Sequence, residues 1–260
     1  MRFERADREN VVTTRIAFLS CFFPAFNEAE NIALVLDEAL RVLPAHAERF
    51  EIIVVDDGSS DATSGIVAAR AESHPEIRLV SHQGNQGYGR ALRTGLESSR
   101  GEAVFFTDAD RQFRLTDIER LIDVFEPGMV AVGYRIKRHD PFHRLVVARV
   151  NHHVLRLAFG LRVHDVDCAF KLLGRDVLSK VMNDLESESA FISPELMIRA
   201  QKKGLRVVEV GIPHYARTAG RSKGATLGVI FRTVREIISM RRRMGALEAD
   251  ESKLISPPPT

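Results

Sequence analysis

The 260-residue chain has no tryptophan, three tyrosines and only two cysteines, and its formal net charge is +2. Cys21 and Cys168 each sit in an apolar stretch, and two thiols are too few for a disulfide framework or a zinc site, so a reducing compartment is expected. No run approaches the roughly eighteen apolar residues that a transmembrane helix needs. The apolar segment 16–23 is too short to span a bilayer, and Pro24-Ala25-Phe26-Asn27-Glu28 follows it with no small-residue cleavage pattern. It reads as a first strand, not a signal peptide. The small net charge rules out a uniformly basic or acidic chain, but the charge is uneven: residues 217–243 carry eight Arg or Lys and one acid, Glu236. Hydrophobic content of 45% and charged content of 28% are those of a soluble globular protein that can bury a core.

From residue 16 onward, short apolar runs alternate with longer stretches of helical period, the βα repeat of an open, mainly parallel sheet. Asn27 with Glu30 three residues later resembles a capping box, and Ile32, Val35, Leu36, Ala39, Leu40 and Leu43 recur at helical spacing. Further strands are expected at 52–55, at 79–80, at 103–107, at 129–133, beginning near 165–171, and at 207–210. Helices are expected between them, around 194–203 and finally over 225–246. Residues 1–15 read as a mobile arm and 247–260, with Pro257-Pro258-Pro259, as a disordered tail.

The strand over 103–107 ends at Asp108-Ala109-Asp110. A buried strand that stops at paired acids places them at the carboxyl edge of a parallel sheet, where such sheets bind ligands. Two hard oxygen donors there suit Mg²⁺ or Mn²⁺ shared with a substrate phosphate. The competing reading makes Asp110 a cap for a helix starting near Thr116. Two other strands also end in acids, small residues and turn formers, Asp56-Asp57-Gly58-Ser59-Ser60-Asp61 and Gly84-Asn85-Gln86-Gly87-Tyr88-Gly89. One shared ligand site is the economical explanation.

Together with 165–171 and 217–223, these motifs resemble the nucleotide-sugar-dependent family 2 glycosyltransferases of GT-A fold, especially the polyprenol-phosphate (dolichol-phosphate) mannosyltransferases. The resemblance spans about residues 16–224. It implies a donor-nucleoside pocket of Pro24, Phe26, Glu28, Val55 and Asp57. It also implies a metal and diphosphate site of Asp108, Ala109, Asp110 and Gln112, with Mg²⁺ or Mn²⁺ as cofactor. Arg135 and Arg149 match arginines that face donor or acceptor phosphates, although a solvated helix would also explain Arg149. Arg217 and Lys223 match a loop that closes over the donor diphosphate. Asp108, Asp110 and Arg135 would then be catalytic. The implied activity is inverting transfer from a nucleotide-sugar to a polyprenyl phosphate, by a cytoplasmic protein held peripherally at a membrane.

The chemistry agrees with those roles. Cleaving a sugar–phosphate bond builds negative charge on the leaving nucleoside diphosphate, which a divalent ion and fixed cations stabilise. An acceptor phosphate monoester, with a second pKa near 6, is already a nucleophile at neutral pH and needs no general base. A hydroxyl acceptor would need a carboxylate, for which Asp165, Asp167 and Glu195 are candidates. The chain departs from the mannosyltransferase pattern at Ala169, where glycine is usual, and at Arg111 and Phe113. Its Cys-x-Phe-Lys pattern at 168–171 also resembles the dolichyl-phosphate glucosyltransferases. GDP-mannose is the first expectation for the donor, and UDP-glucose or another UDP-sugar such as UDP-GlcNAc the second.

In the last helix, Leu227, Ile230, Phe231, Val234, Ile237 and Ile238 share a face, and Arg232, Arg235, Arg241, Arg242 and Arg243 lie beside or beyond it. Such a helix can rest on an anionic membrane, or pack on the domain with its arginines in solvent. Readings from other classes fare worse. Gly87-Tyr88-Gly89 lacks the third glycine of a dinucleotide fingerprint, the basic C-terminal stretch lacks the interleaved aromatics of a nucleic-acid binder, and a non-catalytic nucleotide-binding module would not need the acid pair. His152 and His153 point about 100° apart on a helix, which suits packing or surface and not a metal.

Overall fold

The computed structural model describes residues 15–136, 142–217 and 234–244. Residues 1–14 of the expected N-terminal arm, the C-terminal tail, Lys223, and residues 225–233 and 245–246 of the last helix lie outside them. The elements in order are β1 (Ile16–Ala25), α1 (Ile32–Val42), β2 (Ala47–Asp56), α2 (Thr63–Ser73), β3 (Ile77–Ser81), α3 (Tyr88–Ser98) and β4 (Ala103–Phe106). Then follow α4 (Glu119–Ile122), β5 (Met129–Arg135), α5 (Phe142–Phe159), β6 (Lys171–Gly174), α6 (Arg175–Val181), α7 (Ile192–Lys202) and β7 (Arg206–Ile212). Residues 234–244 are helical.

The seven strands form one sheet in the order β3-β2-β1-β4-β6-β5-β7. All neighbours are parallel except β6, which runs antiparallel to both β4 and β5. Helices cover both faces, so residues of the central strands β4, β6 and most of β5 are buried whichever way they point, whereas the edge strands β3 and β7 are largely half-buried. In β4, Phe105 enters the core on the side of α1 and α2, while Phe106 enters the one on the side of α3, α6 and α7. Phe105 packs edge-on against Phe170 (centroids 4.8 Å apart) and Phe106 stacks on Phe22 (5.2 Å). Each such ring contributes about 1.5–3 kcal/mol by burial.

Several local expectations change in the folded chain. β2 begins five residues before the expected 52–55, because β1 offers it a ladder from Ile16↔Ala47 to Ala25↔Asp56. The capping box does not form: α1 starts after Asn31, and Asn27, at φ 55°, serves the neighbouring turn instead. The Asn27 amide donates to Ser59 Oγ (2.9 Å), and its Oδ1 accepts from the Ser60 amide (2.8 Å). In the last helix the expected single apolar face is divided. Ile237 is buried with Met240, whereas Val234 and Ile238 are about half exposed. Arg243 reaches Glu186 (3.0 Å), so the described part of this helix is docked on the domain.

Candidate active site

In the sheet order, β2 and β3 lie to one side of β1 and β4 lies to the other, so the winding direction reverses between β1 and β4. Open α/β sheets form their ligand crevice outside the strand ends at such a reversal. Three of the acid-bearing or turn-forming segments follow β1, β2 and β4, which are adjacent, and the topology gathers them there.

Asp110 is buried, with Oδ1 accepting from the Gln112 amide (3.0 Å) and Oδ2 bound by Arg217 (2.5 Å). Arg217 also approaches Glu28 (3.9 Å). The segment after β7 delivers this arginine because it is fastened across residues 112–114. The Tyr215 amide donates to the Gln112 carbonyl (2.9 Å), the Arg114 guanidinium lies 4.4 Å from the Tyr215 ring centre, and His214 meets Phe113 edge-on. Asp110 caps no helix: the next helical turn has Arg114 at its N-cap position and no side-chain cap bond. The Gln112 side chain donates to the Tyr215 carbonyl (3.4 Å), so here it secures that segment.

Asp108 differs from its neighbour. It takes a hydrogen bond from the Tyr88 hydroxyl, yet its Oδ1 is buried with no partner, as is the hydroxyl of Thr107. Burial, then the charge of Asp110, pushes the Asp108 carboxyl up to about 7, against the opposing pull of Tyr88, Arg217 and Lys171. An orphaned carboxylate oxygen next to a second acid is the donor set a hard divalent cation wants. Among the described residues no group of three or more His, Cys, Asp or Glu is arranged to hold a metal ion by itself. An ion here would have to complete its shell with phosphate oxygens and water, which is how Mg²⁺ and Mn²⁺ bind beside nucleotides. Asp108 and Asp110 fit such an ion.

Other expected residues are placed differently. The Asp57 carboxylate is occupied by His82 Nδ1 (2.7 Å) and by the amides of Gln86 (2.9 Å) and Gly87 (2.8 Å), while His82 Nε2 meets Thr94 (3.0 Å). Asp57 thus ties the 84–87 turn to the end of β2. Val55 is fully buried in the α3-side core. Pro24 and Ala109 are buried, whereas Phe26 and Glu28 are partly exposed at the mouth. Arg135 is bound bidentately by Asp165 (2.6 Å through both Nε and Nη2), and Arg149 stands exposed on α5. Glu195 is buried and accepts from the amides of Glu186 and Ser187 and from Arg199. His152 and His153 touch only edge-on, their centroids 5.8 Å apart. Tyr88, His82 and Lys171 carry site contacts that the sequence reading assigned no role. For Tyr88 the signal was its place in the glycine-rich turn, directly opposite the acids.

Residues 20–182 match the Glycosyl transferase family 2 model. The chain belongs to that family. Among curated relatives, a dolichyl-phosphate beta-glucosyltransferase of Trichomonas vaginalis is 31% identical over 212 residues, covering 73% of this chain and 61% of its own. The Saccharomyces cerevisiae dolichyl-phosphate beta-glucosyltransferase is 29% identical over 220 residues (75% and 66%). An undecaprenyl-phosphate 4-deoxy-4-formamido-L-arabinose transferase of Photorhabdus laumondii is 28% identical over 219 residues (83% and 66%). The chain thus spans 61–66% of the length of these relatives. Among solved structures, glucosyl-3-phosphoglycerate synthase of Mycobacterium tuberculosis in complex with Mn²⁺, UDP and glucosyl-3-phosphoglycerate superposes with a TM-score of 0.65 at 22% identity, over 87% of this chain and 80% of that one. This family 2 chain therefore has the GT-A fold. The expectation of GDP-mannose finds no support in these relatives, whose named sugars are glucose and a substituted arabinose. Among the described residues no helix is long and apolar enough to cross a membrane.

Proposed function

We propose that the chain transfers a hexose, glucose first, from a UDP-sugar to a polyprenyl phosphate at a membrane surface, with inversion and with a divalent metal. The observation that carries the reading is the Asp108–Asp110 pair at the sheet reversal, with one carboxylate oxygen unpartnered and Arg217 beside it. The dolichyl-phosphate and undecaprenyl-phosphate relatives support the acceptor class, and the dolichyl-phosphate glucosyltransferases among them support glucose.

In this reading Asp108 and Asp110 hold Mg²⁺ or Mn²⁺, which supplies Lewis-acid stabilisation of the leaving diphosphate when bound. Arg217 stands 2.5 Å from Asp110 and adds a second positive charge on the same side, at the root of the segment proposed to close over the donor with Lys223. Phe26 and Glu28, partly exposed beside Arg217, border the nucleoside. Arg135, oriented by Asp165, and the exposed Arg149 are the cations for the acceptor phosphate. That phosphate attacks the anomeric carbon from the face opposite the diphosphate, so the linkage inverts. Glu195 and Asp165, two of the three candidate bases, are engaged by backbone amides and Arg199 and by Arg135 respectively, which favours a phosphate acceptor; the exposed Asp167 is the carboxylate a hydroxyl acceptor would use.

The test combines binding and turnover. Thermal shift with Mn²⁺ should show stabilisation by UDP and UDP-glucose exceeding that by GDP-mannose, since a ligand that binds only the folded state raises apparent stability. Labelled glucose should then appear in polyprenyl phosphate. Preference for GDP-mannose, or transfer to a soluble hydroxyl acceptor with no transfer to lipid phosphate, would refute the reading.

A further inference from the structure

Lys171 is fully buried at the start of β6, paired with Phe106 of β4 on one side and Val132 of β5 on the other. Its ammonium has three protons and three neutral acceptors: the Val166 carbonyl (3.1 Å), the Cys168 carbonyl and Ser193 Oγ (2.8 Å). Ser193 Oγ itself donates to the Val166 carbonyl (3.0 Å). Burying an ammonium costs several kcal/mol, and an apolar side chain of similar length would fill the space beside Phe106 without that cost. What the lysine supplies is a set of donors for backbone that has no ladder. Residues 160–170 belong to no helix or strand, and their buried carbonyls must still be satisfied.

The two carbonyls it grips flank Asp167, and the turn they belong to is closed by the Cys168 amide on the Asp165 carbonyl (3.2 Å). The Asp165 carboxylate in turn holds Arg135 at 2.6 Å through two nitrogens. A continuous set of contacts therefore runs from Lys171 through the 165–168 turn to Arg135, and β6 sets it beside the end of β4, which carries Asp108. We propose that Lys171 is a positioning residue for transfer. It fixes the 165–168 turn, and with it the Arg135–Asp165 pair, at the depth the acceptor must reach relative to the donor site. This inference rests on the proposed transfer to a phosphate acceptor.

The test uses Lys171→Met, which keeps length and apolar bulk, and Ser193→Ala, which removes one hydroxyl and keeps the lysine. Three quantities are read: amide hydrogen exchange over residues 165–170, the Kd for UDP with Mn²⁺, and kcat on polyprenyl phosphate. In Lys171→Met, exchange over the turn should quicken at least about 10-fold and kcat should fall at least about 30-fold, while UDP affinity stays within about 2-fold, since displacement of a reacting partner by an ångström costs up to about 100-fold. Ser193→Ala should show the same split at about 3- to 10-fold in kcat, and it decides the question if Lys171→Met does not fold. Unchanged exchange over the turn, a folded variant with kcat within about 2-fold of the parent, or equal losses of kcat and UDP affinity would each overturn the proposal. Parent turnover is measured first. If the parent does not use polyprenyl phosphate, the functional reading fails, and the exchange data alone decide whether Lys171 holds the turn.

Discussion

Replacing Asp108 with Asn should make the metal-free protein more stable while removing its response to metal and nucleotide. The reasoning starts from a carboxylate whose ordinary pKa of 3.8 is raised to about 7 by burial and by Asp110. Between those two values the folded chain holds a proton that the unfolded chain has released, so folding stability falls as pH rises through that window and stays low above about 7. At 1.36 kcal/mol per unit, the shift corresponds to roughly 4 kcal/mol as an upper bound. The mouth of the site is open to water and Arg217 still serves Asp110, so about 1–2 kcal/mol is the expected gain for Asp108→Asn at pH 8. For a chain of this size that is roughly 3–6 °C in Tm. Asn keeps an oxygen to accept from Tyr88, so the fold is undisturbed. The assay is differential scanning fluorimetry with chelator at pH 5 and pH 8, then with Mn²⁺ and UDP. The gain over the parent should be large at pH 8, smaller at pH 5, and accompanied by loss of the shift from Mn²⁺ with UDP. A variant that is less stable at pH 8, or that keeps the full Mn²⁺–UDP shift, would refute the argument that Asp108 is a strained acid waiting for a cation.

Three further outcomes follow from the same contacts. Glu195→Gln should destabilise the fold by about 3 kcal/mol in chemical denaturation, since it leaves Arg199 without its buried partner, yet kcat per folded molecule should stay within about 2-fold of the parent; a large kcat loss in folded protein would restore Glu195 as a base. Gly58→Ala should cost about 2–4 kcal/mol, because Gly58 sits at φ 70° and a Cβ there would lie 2.4 Å from the Gly84 carbonyl carbon; a cost below about 1 kcal/mol by urea denaturation would show that the 56–61 and 84–87 turns can separate freely. Burial pushes the Cys168 thiol up to about 12 and raises that of Cys21 as well, so neither should react with a disulfide reagent at pH 8 until the chain is unfolded, and rapid labelling of native protein would contradict the packing around both.

The acids illustrate what the chain reveals before folding and what it does not. Apolar runs buried on both faces mark the strands, and β1, β2, β4 and β5 lie where those runs stand. The reversed direction of β6 is invisible in the same pattern, because Lys171-Leu172-Leu173-Gly174 reads alike in either direction, and only its pairing with β4 and β5 orients it. Asp57 and Asp108 present the harder case. Both follow apolar strands, both precede small residues, and the family resemblance gives both to the donor. In the folded chain the 86–87 amides and His82 close over Asp57, whereas among the described residues the Tyr88 hydroxyl is the group that hydrogen-bonds Asp108. Those partners sit 25 to 30 residues away from Asp57 in sequence, at a turn whose conformation depends on Gly58 lying against Gly84. Strand ends and acid types are therefore local information, but whether an acid keeps an oxygen for a ligand depends on which distant backbone amides reach it first. Asp57 has both oxygens engaged by the turn, whereas Asp108 keeps Oδ1 unpartnered, and that oxygen is what its proposed role in holding a cation with Asp110 rests on.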